Sequence, residues 1–184
     1  MADTPMLDHI TTVIRSRQTE PDDSAHAAVV MLLTETDGTL KVLLVKRATR
    51  ETDPWSGHMA FPGGRRGHGD RDLMATARRE TWEETGIELR QCTAIGSLDT
   101  LHSAVSPDMW IQPFIFSCTE PPEVTLNEEL MAHYWVPLED LDRSRGKTRI
   151  GPKEYPAYLV EGEAIWGLTY RMLERFIGIL DGEG

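Results

Sequence analysis

Four glutamates lie within nine positions of one short stretch, RRETWEETGIEL at residues 78–89. In a helix, Glu80, Glu83 and Glu84 would share one face, because successive residues are about 100° apart. That face adjoins the apolar edge of the helix, so the carboxylates would be partly desolvated. Like charges at these spacings destabilise a helix by about 0.2–0.5 kcal/mol per pair, and by more where solvent is excluded. A bound hard divalent cation such as Mg²⁺ would offset the repulsion, because it takes oxygen ligands.

Three glutamates alone more often form a solvated acidic helix face, so the surrounding residues decide between the two interpretations. The helix that carries them has recognisable ends. Asp70 or Asp72 is the candidate N-cap, and Gly86 stands where a glycine commonly ends a helix. The preceding residues 50–71 are rich in glycine and proline, which predicts an ordered loop with a short strand at 59–61.

The other elements follow from hydrophobic periodicity and turn residues. Apolar residues at helical spacing predict an N-terminal helix over about 5–17. Two β-prone runs flank Asp37 and Gly38, which is typical of a hairpin. Further strands are predicted at 92–95, 109–117 and 132–138, and a C-terminal helix at 163–180. Strands and helices without strict alternation indicate an α+β fold or a layered α/β/α fold.

Composition narrows the class of protein. The chain has 184 residues, of which 40% are apolar, and a net charge of −11. We expect a single domain over 1–184. The negative charge argues against binding to the phosphate backbone of nucleic acids. No run approaches the roughly 18 apolar residues of a membrane helix, and the N-terminus has no secretory signal, so we expect no membrane partner and a cytoplasmic location.

The two cysteines carry little functional signal. Neither Cys92 nor Cys118 belongs to a CxxC pair, which disfavours zinc ribbons and disulfide scaffolds. We predict that both are buried thiols. The EF-hand spacing D-x-[DN]-x-[DN]-G is also absent, which argues against a calcium-binding structural protein.

The stretch FPGGRRGHGDRDLMATARRETWEETGI resembles the Nudix box of the Nudix hydrolase family. The second half of that box is complete, in the residues Arg79, Glu80, Glu83, Glu84, Gly86 and Ile87. The first half departs from the pattern. Counting back from Arg79, the usual glycine and glutamate positions fall on Arg65 and Arg71, whereas Gly64 and an aspartate, Asp70 or Asp72, lie one step away. A loop longer by one residue restores the register. Thr81 also stands where a bulky aliphatic residue is usual.

The resemblance implies an α/β fold, namely a Nudix-type α/β/α sandwich with a mixed central sheet and a catalytic loop-helix-loop over about 63–87. Family members use Mg²⁺ or Mn²⁺ to hydrolyse a nucleoside diphosphate linked to another moiety. Glu80 and Glu84 are then the principal metal ligands, and Glu83 is a further ligand or the base that activates water. Arg79 orients these carboxylates. The carbonyl of Gly64 completes the metal shell, and Glu128 or, as our preferred choice, Glu129 supplies a carboxylate from a distal loop.

The doubly charged pyrophosphate also needs cationic contacts. Basic residues cluster around the Gly-Gly loop despite the acidic total, and Arg47, which ends a predicted strand, is the preferred phosphate contact. Arg50, Arg65 and Phe61 complete the predicted substrate-binding residues. The alternatives are that some of these arginines balance acidic side chains on the surface and that the ring of Phe61 belongs to the core.

Three further runs, LLVKRA, WSGHMAFPGG and IWGLTYRML, are similar to the coenzyme A pyrophosphatase branch of the family. The match is imperfect, because TRETDP replaces a segment that usually holds another basic residue. The resemblance implies a small-molecule nucleoside diphosphate derivative as partner and a monomer or homodimer. ADP-ribose, dinucleoside polyphosphates and nucleoside triphosphates stay open as substrates. A non-catalytic nucleotide-binding module is the second class, disfavoured because such modules usually lose box carboxylates that are all present here.

Overall fold

The computed structural model describes residues 6–49, 56–104, 106 and 108–182. The elements of these residues, in chain order, are α1 Met6–Ser16, β1 Ala27–Thr36, β2 Thr39–Arg47, β3 Met59–Ala60, β4 Gly63–Arg65, α2 Leu73–Thr85, a 3₁₀ turn Leu89–Gln91, β5 Thr93–Ser97, β6 Leu101–His102, β7 Trp110–Cys118, β8 Leu130–Pro137, α3 Leu138–Arg143, β9 Arg145–Ile150, β10 Lys153–Val160, β11 Glu163–Trp166 and α4 Gly167–Leu180.

The central sheet is built around the hairpin of β1 and β2. Asp37 and Gly38 have positive φ angles of 52° and 73°, the pair of left-handed conformations that a tight two-residue hairpin requires. The strands run in the order β3-β2-β1-β7-β5, with β8 also on β2, β4 on β1 and β6 on β7. The β1–β7 pair is parallel and the other pairs are antiparallel. The predicted mixed sheet is therefore confirmed.

Each face of the sheet is covered by helix. On one face, Met31 and Leu33 of β1 belong to a buried cluster that includes residues of α1 and α4. On the other face, Val30 and Leu32 belong to a second cluster that includes Leu73 of α2. The alternation follows from the period of two in a strand. It confirms the predicted α/β/α layers and places the glutamate helix on the face opposite α4.

The C-terminal region differs from the prediction in one respect. A helix begins only at Gly167, so the predicted helix over 163–180 is wrong for its first four residues, which form β11. They pair with β10, with Glu163 opposite Val160, and β9, β10 and β11 form a three-stranded antiparallel sheet. Gly167 has a φ of 64°, which allows the chain to turn sharply from strand to helix.

The prediction of two buried thiols is also wrong. Cys92 and Cys118 form a disulfide. The cause is strand register: β5 and β7 are antiparallel with Thr93 opposite Ser117, so the next residues outward face each other. A separation of 26 residues along the chain does not reveal that pairing. As for membranes, the described helices include none that is both apolar and long enough to cross a bilayer.

Candidate active site

The glutamate helix α2 is fixed at both ends by its own sequence. The Asp72 side chain accepts a hydrogen bond of 2.7 Å from the Ala75 N–H and is the N-cap. Gly86 ends the helix in the left-handed conformation, with φ 69°, and its N–H donates to the Trp82 carbonyl. Of the two N-cap candidates, Asp72 is thus the correct one. These residues fix where the helix begins and ends. The burial of Leu73 and Ala77 against the sheet sets its rotation and hence the direction of its carboxylates.

The three box glutamates share a face as predicted, but they are buried unequally. Glu84 is 4% exposed, and its carboxylate accepts a hydrogen bond of 2.8 Å from the Gly63 N–H. The Glu80 side chain is 18% exposed, whereas that of Glu83 is 53% exposed. Glu80 and Glu84, which lie one helical turn apart, are therefore partly removed from solvent as expected, whereas Glu83 is not.

The Gly-Gly pair of β4 makes room for these carboxylates. A Cβ atom on Gly64 would lie 2.5 Å from the Glu80 carboxyl carbon. A Cβ atom on Gly63 would lie 2.2 Å from the Ala28 carbonyl oxygen of the neighbouring strand. An alanine at Gly63 would clash with the backbone of the neighbouring strand, whereas an alanine at Gly64 would displace the carboxylate of Glu80.

Arg79 contacts five oxygen atoms of four residues at the site. Its guanidinium donates from Nε and Nη2 to the two carboxylate oxygens of Asp70, at 3.0 and 2.9 Å. Its Nη1 lies 2.8 Å from Glu80 and 3.0 Å from Glu83, and Nη2 also donates to the Arg65 carbonyl at 3.1 Å. A planar guanidinium can hold this many acceptors in one geometry.

Asp70 is the acid that the first half of the box left unresolved. Its side chain is 7% exposed, and the hydrogen bonds from Arg79 hold its pKa well below the usual range despite burial. The Thr76 hydroxyl and the Gly67 N–H donate to it as well. The sequence offered Asp70 and Asp72 as alternatives, and the only signal that separated them was the one-residue insertion in the loop.

The pKa values of the buried Glu84 and the half-buried Glu80 are raised mainly by burial, and neighbouring negative charges add to the rise. Burial raises the pKa of Glu84 to about 7, although the Gly63 hydrogen bond and the charge of Arg47 oppose the rise. Burial also raises the pKa of Glu80, against the hydrogen bond from Arg79. The negative charge of Glu129 contributes to both increases, so this distal glutamate lies within electrostatic reach of the helix.

A cavity of about 530 Å³ opens beside the carboxylates, within the range of small-molecule sites. The sequence-predicted residues Arg47, Phe61, Arg65 and Glu129 all line it, as do the glutamates of α2. Phe61 is 4% exposed and also belongs to the apolar core. The predicted substrate contact Arg50 lies outside the described residues.

Sequence reasoning missed the contribution of the C-terminal region to this cavity. Trp166 and the first turn of α4 line it, and so does His58. The rings of His58 and Trp166 meet edge to face, with centroids 4.7 Å apart. The IWGLT run carries the only signal, because its helical periodicity by itself predicts no more than packing on the sheet.

The donor set suits a hard divalent cation, although the described residues do not form a closed metal cage. No group of three or more His, Cys, Asp or Glu side chains among them is arranged to hold an ion directly. Arg79 instead contacts two of the carboxylates. Buried like charges and the space that Gly64 leaves for Glu80 are nevertheless the features expected where a cation binds oxygen ligands together with water and substrate.

The fold and the site together define a Nudix protein. The family model described as NUDIX domain matches residues 24–158, and the chain belongs to this family. The predicted class, a hydrolase of phosphoanhydride bonds, is thereby confirmed at the level of the family.

Two curated relatives and one solved structure are similar to this chain. The chain is 39% identical over 132 residues to an uncharacterised protein of Schizosaccharomyces pombe, covering 64% of this chain but only 40% of that protein. It is 30% identical to the mitochondrial coenzyme A diphosphatase NUDT8 of Homo sapiens, over 85% of this chain and 70% of the relative. A crystal structure of a C. elegans Ap4A hydrolase matches the fold with a TM-score of 0.56 at 23% identity, covering 85% of this chain and 97% of the other.

Proposed function

We propose that this protein is a metal-dependent pyrophosphohydrolase that splits coenzyme A, or a derivative of it, into a mononucleotide and a phosphorylated remainder. One observation carries the proposal: the buried carboxylate of Glu84, the half-buried carboxylate of Glu80, the distal Glu129 and Arg47 all line a single cavity. The similarity to NUDT8, which is named a coenzyme A diphosphatase, supports the choice of substrate.

The residues that would hold Mg²⁺ or Mn²⁺ are Glu80, Glu83 and Glu84, with Glu129 and the carbonyl of Gly64. When bound, the ion supplies charge neutralisation for the diphosphate and lowers the pKa of a bound water. Arg79 keeps Glu80 and Glu83 in place through its two short contacts.

The remaining chemistry needs a phosphate contact and a proton acceptor. Arg47 lines the cavity and neutralises one phosphate of the substrate. A water molecule adds to one phosphorus atom, a carboxylate of the site accepts its proton, and the bridging P–O bond breaks. The second phosphate leaves with the bridging oxygen.

The test is a panel of diphosphates assayed with Mg²⁺, with Mn²⁺ and with EDTA. Coenzyme A, ADP-ribose and diadenosine compounds should be compared, with products separated by chromatography and ¹⁸O-water used to show which phosphorus is attacked. Metal-dependent release of a mononucleotide from coenzyme A, faster than from the others, is expected. No metal-dependent turnover of any member would reject the proposal in favour of a binding module.

Two matched variants connect the assay to the site. Glu80→Gln removes a carboxylate that lies beside Gly64 and Arg79 and should abolish metal-dependent turnover. Glu88→Gln changes the fourth glutamate of the same stretch, which lies beyond the helix and does not line the cavity, and should leave turnover intact. Equal effects of the two changes would contradict the assignment.

A further inference from the structure

A second cleft, of about 440 Å³, lies at the carboxyl end of α2 and is lined by other residues than the active-site cavity. The Cys92–Cys118 disulfide forms part of its wall, beside Pro121, Pro122 and the side chain of Trp82, a residue that is 52% exposed. The volume is within the range of small-molecule sites. A small molecule in this cleft would therefore contact a disulfide, which is a bond that thiolates attack.

The two cysteines differ in accessibility. Cys118 is 7% exposed and belongs to the buried cluster beneath α2. Cys92 is only partly buried and packs against that cluster. A thiolate that enters the cleft therefore reaches the Cys92 sulfur more readily than the Cys118 sulfur. Access to the attacked sulfur is one of the factors that set the rate of thiol–disulfide exchange.

The charge of the cleft selects among thiols. Three carboxylates, those of Glu88, Glu120 and Glu123, line it. Arg90 lies 3.6 Å from Glu88 and offsets that charge in part, whereas Glu120 and Glu123 are exposed carboxylates. The cleft is therefore negatively charged. It repels thiols that carry a carboxylate and attracts thiols that carry an ammonium group.

The chain after β7 connects this cleft to the active site. The Thr125 N–H donates to the Thr85 carbonyl at 2.8 Å, and the Asn127 N–H donates to the Glu84 carbonyl at 3.1 Å. Two residues later, Glu129 lines the active-site cavity. The connection between β7 and β8 is therefore fastened to the last turn of the glutamate helix before it supplies its own carboxylate to the cavity.

The disulfide restrains both sides of this helix end. Cys92 lies directly after the 3₁₀ turn that follows α2, and Cys118 is the last residue of β7, where the fastened connection begins. Reduction opens a loop that is closed over a separation of 26 residues and increases the conformational freedom of the unfolded chain. It also removes a covalent restraint beside α2, so the two hydrogen bonds to the helix end lose that support.

We propose that the Cys92–Cys118 disulfide is a site of thiol–disulfide exchange for small thiols that carry no negative charge, and that its reduction lowers the metal-dependent activity. The second part rests on the proposed function, whereas the first part does not. A thiolate adds to the Cys92 sulfur, the Cys92–Cys118 bond breaks, and the Cys118 sulfur takes up a proton. A second thiolate attacks the sulfur of the attached thiol, and the Cys92 sulfur leaves and takes up a proton. The protein disulfide is thereby reduced, and two thiol molecules are oxidised to their disulfide.

Three small thiols test the exchange site: cysteamine is cationic, 2-mercaptoethanol is neutral and mercaptoacetate is anionic. Alkylation with iodoacetamide followed by mass spectrometry measures how fast the cysteines are released. At low ionic strength the rate per thiolate should be about tenfold higher for cysteamine than for mercaptoacetate, and added salt should narrow the difference. Glu120→Gln combined with Glu123→Gln should narrow it as well. The control is Glu154→Gln on β10, outside the cleft, which should not.

Single variants identify the attacked sulfur. In Cys118→Ser, the remaining Cys92 should form a mixed disulfide with cystamine, the disulfide of cysteamine. In Cys92→Ser, the buried Cys118 should react about tenfold more slowly. Equal rates for the three thiols, equal labelling of the two variants, or two free thiols in protein purified without reductant would each overturn the exchange site.

The effect on activity is measured with a diphosphate that carries no free thiol. The oxidised protein is compared with protein reduced by cysteamine and then freed from it, and with the double variant Cys92→Ala, Cys118→Ala. Reduction should lower the thermal midpoint by roughly 5–10 °C and metal-dependent turnover by about threefold or more, and reoxidation should restore both. The double variant should match the reduced protein and should not respond to thiols. Equal turnover of the oxidised and reduced proteins would overturn the regulatory part.

Failure of the proposed function has a different signature. If no diphosphate is hydrolysed in either state, the proposed function fails, and the rise in thermal midpoint on addition of Mn²⁺ replaces turnover as the measurement. A smaller rise in the reduced protein than in the oxidised protein would sustain the link between the disulfide and the carboxylates. An equal rise would end it.

Discussion

Replacement of the most buried box glutamate should make the metal-free protein more stable while destroying its activity. Glu84→Gln keeps the size of the side chain and leaves an oxygen to accept the hydrogen bond that the Gly63 N–H donates at 2.8 Å. It removes the negative charge from a side chain that is 4% exposed. The stability of the wild type should therefore depend on pH in a way that the variant does not share.

The magnitude follows from the pKa of Glu84, which burial raises from 4.5 to about 7. A difference of one in pKa corresponds to about 1.4 kcal/mol. Below about pH 4.5 the carboxyl is protonated in both the folded and unfolded states, and its ionisation costs nothing. Above pH 7 it is ionised in both, and the folded state is destabilised by about 3 kcal/mol. The cost develops as the pH rises between these two values.

Urea denaturation at pH 5 and pH 8, in EDTA, measures this difference. At pH 8 the free energy of unfolding of Glu84→Gln should exceed that of the wild type by about 2–3 kcal/mol. For a chain of this size the thermal midpoint should be higher by roughly 5–10 °C. At pH 5 most of the gap should close. Added Mn²⁺ should stabilise the wild type and have little effect on the variant, because binding to the folded state alone raises stability.

The control is Glu83→Gln on the same helix. The Glu83 side chain is 53% exposed, so its replacement should change stability by no more than about 0.5 kcal/mol at either pH. The reasoning would be refuted if Glu84→Gln were no more stable than the wild type at pH 8. A gain of equal size at both pH values would also refute it, since the cause would then not be the buried charge.

Two further changes test the packing around α2. Gly64→Ala should reduce metal-dependent turnover at least tenfold with little change in thermal midpoint, because its Cβ would displace the carboxyl end of the Glu80 side chain and not backbone. The control is Gly69→Ala, where a Cβ would have nothing within 4 Å, and equal activity of the two variants would contradict this explanation. Thr81→Val should raise the free energy of unfolding by about 1 kcal/mol, because the buried Thr81 hydroxyl has no hydrogen-bond partner among the described residues. Thr85→Val, which loses a 2.6 Å bond to a carbonyl, should lower it, and the same sign for both would reject the explanation.

The parts of the site that the sequence predicted are those encoded by local signals. The ends of α2 follow from Asp72 and Gly86, and the spacing of Glu80 and Glu84 follows from the helical repeat. The hairpin at Asp37 and Gly38 is equally local. In each case a few neighbouring residues determine the backbone conformation, so no tertiary information is needed.

The parts that the sequence did not predict depend on register and on distant packing. The Cys92–Cys118 disulfide requires the alignment of β5 with β7. The strand β11 has a periodicity that also suits a helix, and only its pairing with β10 shows that it is extended. The choice of Asp70 as the partner of Arg79, nine residues later, depends on how the loop before α2 folds back against that helix. In each of these three cases the contact joins residues whose local sequence patterns do not predict it.

The parallel pair of β1 and β7 at the centre of the sheet has a consequence for folding. Ala27 lies opposite Ile111 and Thr34 opposite Cys118. The segment that joins β1 to β7, which includes α2, must therefore bring its two ends together before these strands can pair. Loops of that length close late, and topologies rich in distant contacts fold slowly. A chain interrupted before β7 is made would therefore lack the strand that pairs with β1 along residues 27–34, and the sheet on which α2 packs would be incomplete.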